Sequence, residues 1–288
     1  MTVILSPNPY RDKGLKAAQS AQKILRQLNV ETVMCLPFTS DGTEPPPLPA
    51  HLEFKPLKRT LAKADIMVCF GGDGTILHAA KDAEVYGVPV LGVNTGSVGF
   101  MAELECGELS QLGKLASGRY GVETRMMLDV RVMRDNREIF SDVALNDAVV
   151  TKGAVARVVD LSVYGDKVLI SEFAGDGVIL STPTGSTAYS MAAGGPIVEP
   201  TAENIIFTPI CAHALYAKSF VLDSQRLVSV RLSKNSRKTA YLSVDGGKAV
   251  RLQGGDRVEI SKSSRQTRLV KLTGRSFYEI LNQKLGGA

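Results

Sequence analysis

The stretch Phe70-Gly71-Gly72-Asp73-Gly74-Thr75 follows an apolar run, Ile66–Phe70, and precedes a segment with helical character from Thr75 to Tyr86. Glycines between a strand and a helix let the backbone approach a phosphate group closely, and the first helical turn offers unpaired N–H donors. Asp73 is unexpected there because a carboxylate repels phosphate. Its presence is explained if it takes a proton from an attacking hydroxyl group or holds a magnesium ion. The motif therefore predicts a βα unit and phosphoryl transfer without a lysine in the glycine turn.

Strand-like apolar runs alternate with helical stretches over about the first 120 residues. Val3–Ser6, Glu31–Leu36 and Val88–Val93 have the composition of strands, and Gly14–Leu28 has the apolar spacing of a helix. This alternation predicts a mostly parallel sheet covered by helices. Ligands of such sheets bind at the carboxyl ends of the strands. The glycine turn and Asn94-Thr95-Gly96 each follow a strand directly, so both are expected at that edge.

The pattern changes at about Thr124, where short runs rich in Val, Ile and Leu follow one another. Turn signals such as Asp135-Asn136 and Gly165-Asp166 separate them, which is typical of antiparallel strands. The predicted fold class is an α/β N-terminal domain with a mostly parallel sheet, residues 1–122, and an all-β C-terminal domain, residues 123–272. Phe277–Leu285, within the terminal segment 273–288, is predicted to be helical.

The composition limits the classes of function. The chain has 288 residues, 44% hydrophobic and 22% charged, with a net charge of +5. Its basic residues are dispersed, and no basic–aromatic motif occurs, so no nucleic-acid partner is predicted. No apolar run reaches the roughly 18–20 residues of a membrane span, and no secretory signal is visible. The four cysteines form no C-x-x-C pair, which predicts reduced, mostly buried thiols in a cytoplasmic protein.

Three further motifs carry small or polar side chains. The loop Asn94-Thr95-Gly96-Ser97-Val98-Gly99-Phe100 permits close approach of a ligand, and a plain loop is an equal alternative. Asn146-Asp147 suits a sugar hydroxyl or a base edge, with an Asx turn as the alternative. Ser181–Pro196 is rich in Gly, Ser and Thr, and its Tyr189 could stack on an aromatic ligand. A serine hydrolase is disfavoured because the G-x-S-x-G elbow is absent.

The segment Ser40–Pro49 is rich in proline and opposes helix and interior strand. It is interpreted as a surface loop, with a lid over the glycine turn as the alternative.

Together, Gly71–Thr75, Asn94–Gly96, Asn146-Asp147, Ser181–Pro196 and Ser243-Val244-Asp245-Gly246 resemble the NAD kinases over nearly the whole chain. The resemblance implies transfer of the terminal phosphate of ATP, or in some members polyphosphate, to the 2′-hydroxyl of the adenosine ribose of NAD, which gives NADP. It also implies magnesium that arrives with ATP and is not fixed by side chains alone, a homodimer or homotetramer, and a last helix that packs back on the first domain.

The resemblance assigns roles residue by residue. Asp73 matches the catalytic proton acceptor, and Asp147 stands where the family usually has the longer glutamate. The phosphate or ATP site would comprise Gly71, Gly72, Gly74 and Thr75, and the NAD site Asp73, Gly74, Asn146, Asp147, Arg157, Asp176, Thr187, Ala188 and Tyr189. Two other classes remain open from the residues: a lipid or sugar kinase that uses the same glycine turn, and a non-enzymatic dinucleotide sensor.

Overall fold

A computed structural model of the chain describes residues 1–37, 46–96, 99–154, 157–214, 216–233 and 238–286. The chain divides into two compact units, one of Met1–Thr124 with Thr267–Ala288 and one of Arg125–Gln266. The segment Ser40–Pro49 lies mostly outside the described residues, and the lid alternative with it.

The helices and strands are numbered in chain order. They are β1 (Thr2–Pro7), α1 (Lys16–Gln27), β2 (Glu31–Met34), α2 (Leu57–Leu61), β3 (Ile66–Gly71), α3 (Asp73–Glu84), β4 (Val90–Asn94), β5 (Leu104–Glu105), α4 (Gly113–Ala116), β6 (Gly121–Arg134), β7 (Arg137–Ala144), β8 (Asp147–Lys152), β9 (Val159–Gly165), β10 (Val168–Gly175), β11 (Gly177–Ser181), α5 (Tyr189–Ala192), β12 (Asn204–Ile210), β13 (Phe220–Asp223), β14 (Val228–Leu232), β15 (Ala240–Val244), β16 (Val250–Leu252), β17 (Arg257–Lys271) and α6 (Phe277–Leu285).

The first unit contains a parallel sheet in the order β2-β1-β3-β4, with β5 and the end of β17 beside β4. The alternating side chains of β1 and β3, among them Val3, Leu5 and Val68, share one buried cluster with Ala18 and Leu25 of α1. Helix α3 contacts β4 closely, because a Cβ atom on Gly92 would lie 2.5 Å from the Ile76 side chain. The predicted parallel α/β sheet is confirmed.

The carboxyl ends of β3 and β4 lie side by side at one edge of this sheet. Gly71 at the end of β3 pairs with Asn94 at the end of β4, and Pro7 at the end of β1 pairs with Phe70. The glycine turn and the Asn94 loop therefore begin next to each other, which places both at the edge where the sequence predicts a ligand.

The second unit is built from antiparallel strands. One sheet has the order β13-β12-β11-β8-β15-β16, and a second contains β10, β9, β14 and β17, with the hairpin β6–β7 joined through β6. Apolar side chains from both sheets, such as Val150, Leu180, Val163 and Val230, form one buried cluster. The predicted all-β C-terminal domain is confirmed.

The C-terminal segment is attached to the first unit by buried polar contacts. Glu103 is 4% exposed and accepts hydrogen bonds from the backbone N–H of Leu272 at 2.7 Å and from the hydroxyl of Thr273 at 2.7 Å. Helix α6 then begins at a capping box in which Ser276 and Glu279 bond to each other's backbone N–H groups. These contacts fix where α6 starts.

All four cysteines are free thiols. Cys35 and Cys69 are buried, but Cys106 and Cys211 are exposed, so the prediction of mostly buried thiols is wrong for those two. In the described parts of the chain, every helix is too short or too polar to cross a membrane.

Candidate active site

The glycine turn contains one glycine that packing requires and two that packing does not require. A Cβ atom on Gly71 would lie 2.3 Å from the hydroxyl oxygen of Thr75, so a side chain there is excluded by the turn itself. Gly72, in extended conformation, caps α3, and Asp73 lies in the first helical turn. In the part of the chain that the structure describes, no atom lies within 4 Å of a Cβ atom built on Gly72 or Gly74. The space beside these two glycines is therefore open to a ligand.

Both carboxylate oxygens of Asp73 accept backbone hydrogen bonds. The N–H of Phe100 donates to Oδ2 at 2.8 Å and that of Met101 to Oδ1 at 3.1 Å. Gly99 makes this approach possible, because a Cβ atom there would lie 2.1 Å from Oδ1. The side chain remains 33% exposed. The carboxylate is thus held in one orientation and still reachable, which the sequence motif alone did not indicate.

Two asparagines order the loops around the glycine turn. Asn8 donates from Nδ2 to the hydroxyl of Thr75 at 2.9 Å. Asn94 is 1% exposed, donates to Glu105 Oε2 at 2.8 Å, and accepts from the N–H of Gly96 at 3.1 Å. The last contact is an Asx turn that holds the start of the loop. Ser97 and Val98, in the middle of this predicted motif, lie outside the described residues.

Asn146 and Asp147, in the second unit, are held by Asp245. Its Oδ1 accepts from the N–H of Asn146 at 2.8 Å and of Asp147 at 3.0 Å, and its Oδ2 accepts from the N–H of Leu145 at 2.8 Å. Asp245 has a φ of 50°, a left-handed conformation that aspartate tolerates. The Ser243–Gly246 motif thus contains a residue, Asp245, that holds the Asn146-Asp147 backbone, and this role is visible only in the folded structure.

Burial changes the chemistry of Asp147. Its side chain is nearly inaccessible, and its pKa is raised from 3.8 to about 7, first by burial and second by the neighbouring Asp245 carboxylate. Asn146 has a different unmet requirement, because its buried Oδ1 has no hydrogen-bond donor among the described residues. This oxygen is also shielded, so a ligand hydroxyl group satisfies it only after the Asn146 side chain rotates towards the ligand.

The segment Ser181–Pro196 wraps tightly around the Asn146 backbone. Thr182 accepts from the N–H of Gly185 at 3.0 Å and donates to Leu145 O at 2.6 Å. A Cβ atom on Gly185 would lie 2.1 Å from the carbonyl oxygen of Asn146. The structure thus brings this segment to the Asn146-Asp147 pair. Thr187 and Ala188 are half-buried and Tyr189 is 44% exposed, so its ring is accessible for stacking.

Asp176 is not brought to that pair. Strands β8 and β11 run antiparallel with Asp147 opposite Ser181 and Thr151 opposite Gly177, so Asp176 is at the far end of the strand pair. Five residues of strand separate the two ends by roughly 16 Å. Asp176 there forms an ion pair with Lys152 at 2.7 Å. Arg157 is exposed.

Among the residues that the structure describes, no group of three or more His, Cys, Asp or Glu side chains is placed to hold a metal ion. Asp73 is a single carboxylate whose two oxygens already accept backbone hydrogen bonds. A magnesium ion at this place would therefore be held mainly by the phosphates of a nucleotide and not by protein side chains.

Two family models match the chain. The one described as the ATP-NAD kinase N-terminal domain matches residues 8–120, and the one described as the ATP-NAD kinase C-terminal domain matches residues 145–272.

Curated relatives and solved structures are similar over most of the chain. An NAD kinase of Acetivibrio thermocellus is 42% identical over 223 residues, 77% of each chain, and one of a Thermoanaerobacter species is 39% identical over 281 residues, 97% of this chain and 96% of the relative. A yeast NADH kinase complexed with NADH has a TM-score of 0.83 at 25% identity and covers all of this chain and 87% of that one. An NAD kinase from Archaeoglobus fulgidus in complex with ATP has a TM-score of 0.73 at 25% identity, covering 100% and 98%.

Proposed function

The chain belongs to the NAD kinase family, phosphotransferases that phosphorylate NAD with ATP, and from this premise we propose that it transfers the terminal phosphate of ATP to the 2′-hydroxyl of the adenosine ribose of NAD. The product is NADP. The observation that carries the proposal is the Asp73 carboxylate, which is fixed by two backbone N–H groups beside an open glycine turn.

Asp73 acts as the general base. A ribose hydroxyl group is a weak nucleophile while it keeps its proton, and a positioned carboxylate base contributes typically ~10²–10⁴-fold to the rate. The amides of Phe100 and Met101 hold the carboxylate in one orientation, and its 33% exposure leaves it accessible to the hydroxyl group. The role as a magnesium ligand fits less well, because those amides already occupy an acceptor site on each oxygen.

The glycine turn binds the donor. Helix α3 has 12 residues and presents its N-terminus at Gly72 and Gly74, where the open space lets phosphate oxygens reach backbone N–H groups. Thr75 is oriented by Asn8 for the same task. Magnesium, when bound to the triphosphate, offsets the negative charge that develops during transfer.

The Asn146-Asp147 pair binds the ribose. The unpaired Oδ1 of Asn146 accepts a hydrogen bond from a sugar hydroxyl group, and Asp147, with a pKa of about 7, accepts or donates according to its protonation. Gly74, Thr187, Ala188 and Tyr189 contact the adenosine part. Asp176, at the far end of the strand pair, binds the nicotinamide part of the extended dinucleotide, and Arg157 is a further NAD contact.

The decisive assay supplies purified protein with NAD, ATP and magnesium, and couples any NADP to an NADP-specific dehydrogenase. We expect NADP to form with ATP, and polyphosphate as sole donor tests the second donor class. A lipid or sugar kinase would instead phosphorylate diacylglycerol or a sugar and ignore NAD. A dinucleotide sensor would bind NAD and leave ATP intact. Either result would overturn the proposed function.

The variant Asp73→Asn tests the catalytic role. We expect kcat to fall by about two orders of magnitude or more. Asparagine keeps one acceptor oxygen, so either Phe100 or Met101 loses its hydrogen-bond acceptor, which costs roughly 1–3 kcal/mol of stability. A melting curve therefore accompanies the assay. Turnover close to that of the wild type in a folded variant would remove the assigned role.

Assembly and location complete the proposal. A homodimer or homotetramer is supported by exposed apolar side chains on edge strands, Phe220 and Val221 of β13 and Val168 and Leu169 of β10. Light scattering after size-exclusion chromatography measures the assembly, and a monomer would contradict it. Four free cysteines support a reducing, cytoplasmic compartment.

A further inference from the structure

Helix α6 brings a lysine to the glycine turn from the other end of the chain. The Nζ atom of Lys284 lies 4.0 Å from Asp73 Oδ2 and 4.1 Å from the centre of the Phe100 ring. Phe100 joins the two, because its backbone N–H donates to the same Oδ2 atom at 2.8 Å. The ammonium, the ring and the carboxylate thus form one cluster, which we call the Lys284 cluster. The motif around Asp73 contains no lysine, so a cation at this place is not expected from the local sequence.

The ammonium of Lys284 is placed to accept a further anion. At 4.0 Å it attracts the Asp73 carboxylate without a hydrogen bond, and among the described residues it has no other acceptor. Its side chain is 33% exposed, so solvent and ligands reach it. The contact with the face of Phe100 is a cation–π interaction that holds the charge in position.

The support of α6 limits how far Lys284 can move. The helix begins at the capping box of Ser276 and Glu279, and Ile280 is 8% exposed, so its middle is packed. Arg275, just before the helix, donates to Glu108 of the first unit. These contacts keep Lys284, in the last turn of α6, beside the turn before α3.

The opposite charges of Lys284 and Asp73 bear on how a donor phosphate binds. A carboxylate at the N-terminus of α3 repels the phosphates of an incoming donor, and a cation close to it offsets that repulsion. We propose that Lys284 is a donor-binding residue, whose ammonium lets the triphosphate bind beside Asp73. The inference rests on the proposed function and adds to it the cation that the glycine turn lacks. It predicts that the Lys284 ammonium raises the affinity for ATP and that the Asp73 carboxylate lowers it.

The test measures the dissociation constants of ATP with magnesium and of NAD by calorimetry on the full chain. In Lys284→Met we expect ATP binding to weaken by roughly ten- to a hundredfold, while NAD binding changes less than threefold, on the order set by one screened charge near a phosphate. Lys284→Arg keeps the charge and should retain most of the affinity. Because electrostatic attraction is screened by salt, the difference between wild type and Lys284→Met should shrink between 50 mM and 500 mM salt, concentrations chosen on the order of tenfold apart.

Two matched controls separate charge from structure. Gln283→Met changes the neighbouring exposed position of α6 and leaves the net charge unchanged. Lys63→Met removes an exposed lysine of the same unit, which precedes β3 at the opposite end of that strand from the glycine turn. Both should bind ATP like the wild type. Asp73→Asn should bind ATP more tightly than the wild type, and the double variant Asp73→Asn with Lys284→Met should return towards wild-type affinity.

The outcomes distinguish the two proposals. If the wild type forms NADP and Lys284→Met binds ATP with unchanged affinity, the role of Lys284 is wrong and the proposed function stands. A lower melting temperature with unchanged ATP affinity leads to the same conclusion, because it shows a structural role only. If the wild type forms no NADP from NAD and ATP, the proposed function is wrong, and the assignment of Lys284 to its donor site is wrong with it.

Discussion

The variant Asp147→Asn should make the protein more stable at neutral pH. The pKa of Asp147 is raised from 3.8 to about 7 by burial and by the Asp245 carboxylate, so the folded state keeps a proton that the unfolded chain gives up. The contribution of Asp147 to the free energy of unfolding is fully present below about pH 4 and is lost as the pH rises to about 7. Above pH 7 both states are ionised and the loss is constant. Asparagine does not ionise, so the variant avoids the loss.

The expected size follows from the two pKa values. Each pH unit between them contributes 1.36 kcal/mol, so the full difference approaches roughly 4 kcal/mol at pH 8, and about half of that at pH 5.5. The backbone hydrogen bonds from Asn146 and Asp147 to Asp245 do not involve the Asp147 side chain and should survive the substitution.

Urea unfolding at pH 4.5, 6.0 and 7.5, values chosen to cover most of the roughly three-unit window, measures the effect. The midpoint of Asp147→Asn should exceed that of the wild type by an amount that grows with pH. Asp160→Asn, an exposed carboxylate of the same unit, is the matched control and should show no such growth. A wild type and an Asp147→Asn variant with parallel pH profiles would refute the reasoning. The same substitution should impair NAD binding, because a group kept at such a cost in stability is typical of a functional site.

Two further predictions concern the donor turn and the second unit. Gly74→Ala should raise the melting temperature, because alanine favours a helix by about 1 kcal/mol over glycine. The same substitution should weaken ATP binding, because the added methyl group fills the open space beside the glycine turn. Gly107→Ala is the control: its position is equally open but outside the site, so ATP binding should not change. Arg134→Met should destabilise the protein by about 3 kcal/mol, because the nearly inaccessible Asp256 loses both hydrogen bonds from Arg134, at 2.7 and 2.8 Å, and keeps only the one from the Gln253 N–H. Arg226→Met on the surface should not change the melting temperature measurably.

The sequence predicted most of the elements that position the site, with errors that have physical causes. The helix after the glycine turn was expected from Thr75 to Tyr86 but runs from Asp73 to Glu84. Its start was placed late because glycines were interpreted as a turn, although Gly74 is helical. Its end was placed late because the apolar Val85 and Tyr86 resemble helix, whereas Gly87 has a φ of 65° that ends it.

Strand β12 was missed, although Ile205, Ile206 and Phe207 are strongly apolar. Pro209 is unfavourable inside a strand, because proline cannot donate to the ladder. In the structure Pro209 lies in the ladder with β11, opposite Val178, and the pairing of β12 with the edge strand β13 covers only Asn204–Phe207, so Pro209 has a ladder partner on one side only. Strand β17 extends from Arg257 to Lys271 although its middle is polar, because it pairs with neighbouring strands that a local pattern does not reveal.

Some site residues are marked by the local sequence, and others are revealed only by contacts between distant segments. Asp73 and Asn146-Asp147 stand out from local sequence because polar residues follow or precede apolar strands. The amides of Phe100 and Met101, the role of Asp245 and the position of Lys284 depend on contacts between segments far apart in the chain. A sequence pattern of short period carries no information about such contacts.

The most direct test of the central claim is a crystal structure of the protein with NAD, in which the distance from the Asp73 carboxylate to the 2′-oxygen of the adenosine ribose is measured. We predict hydrogen-bond contact, about 2.6–3.2 Å, with Asn146 bonded to the same sugar. A carboxylate that still faces only Phe100 and Met101, with the 2′-oxygen beyond the reach of even one bridging water, would contradict it.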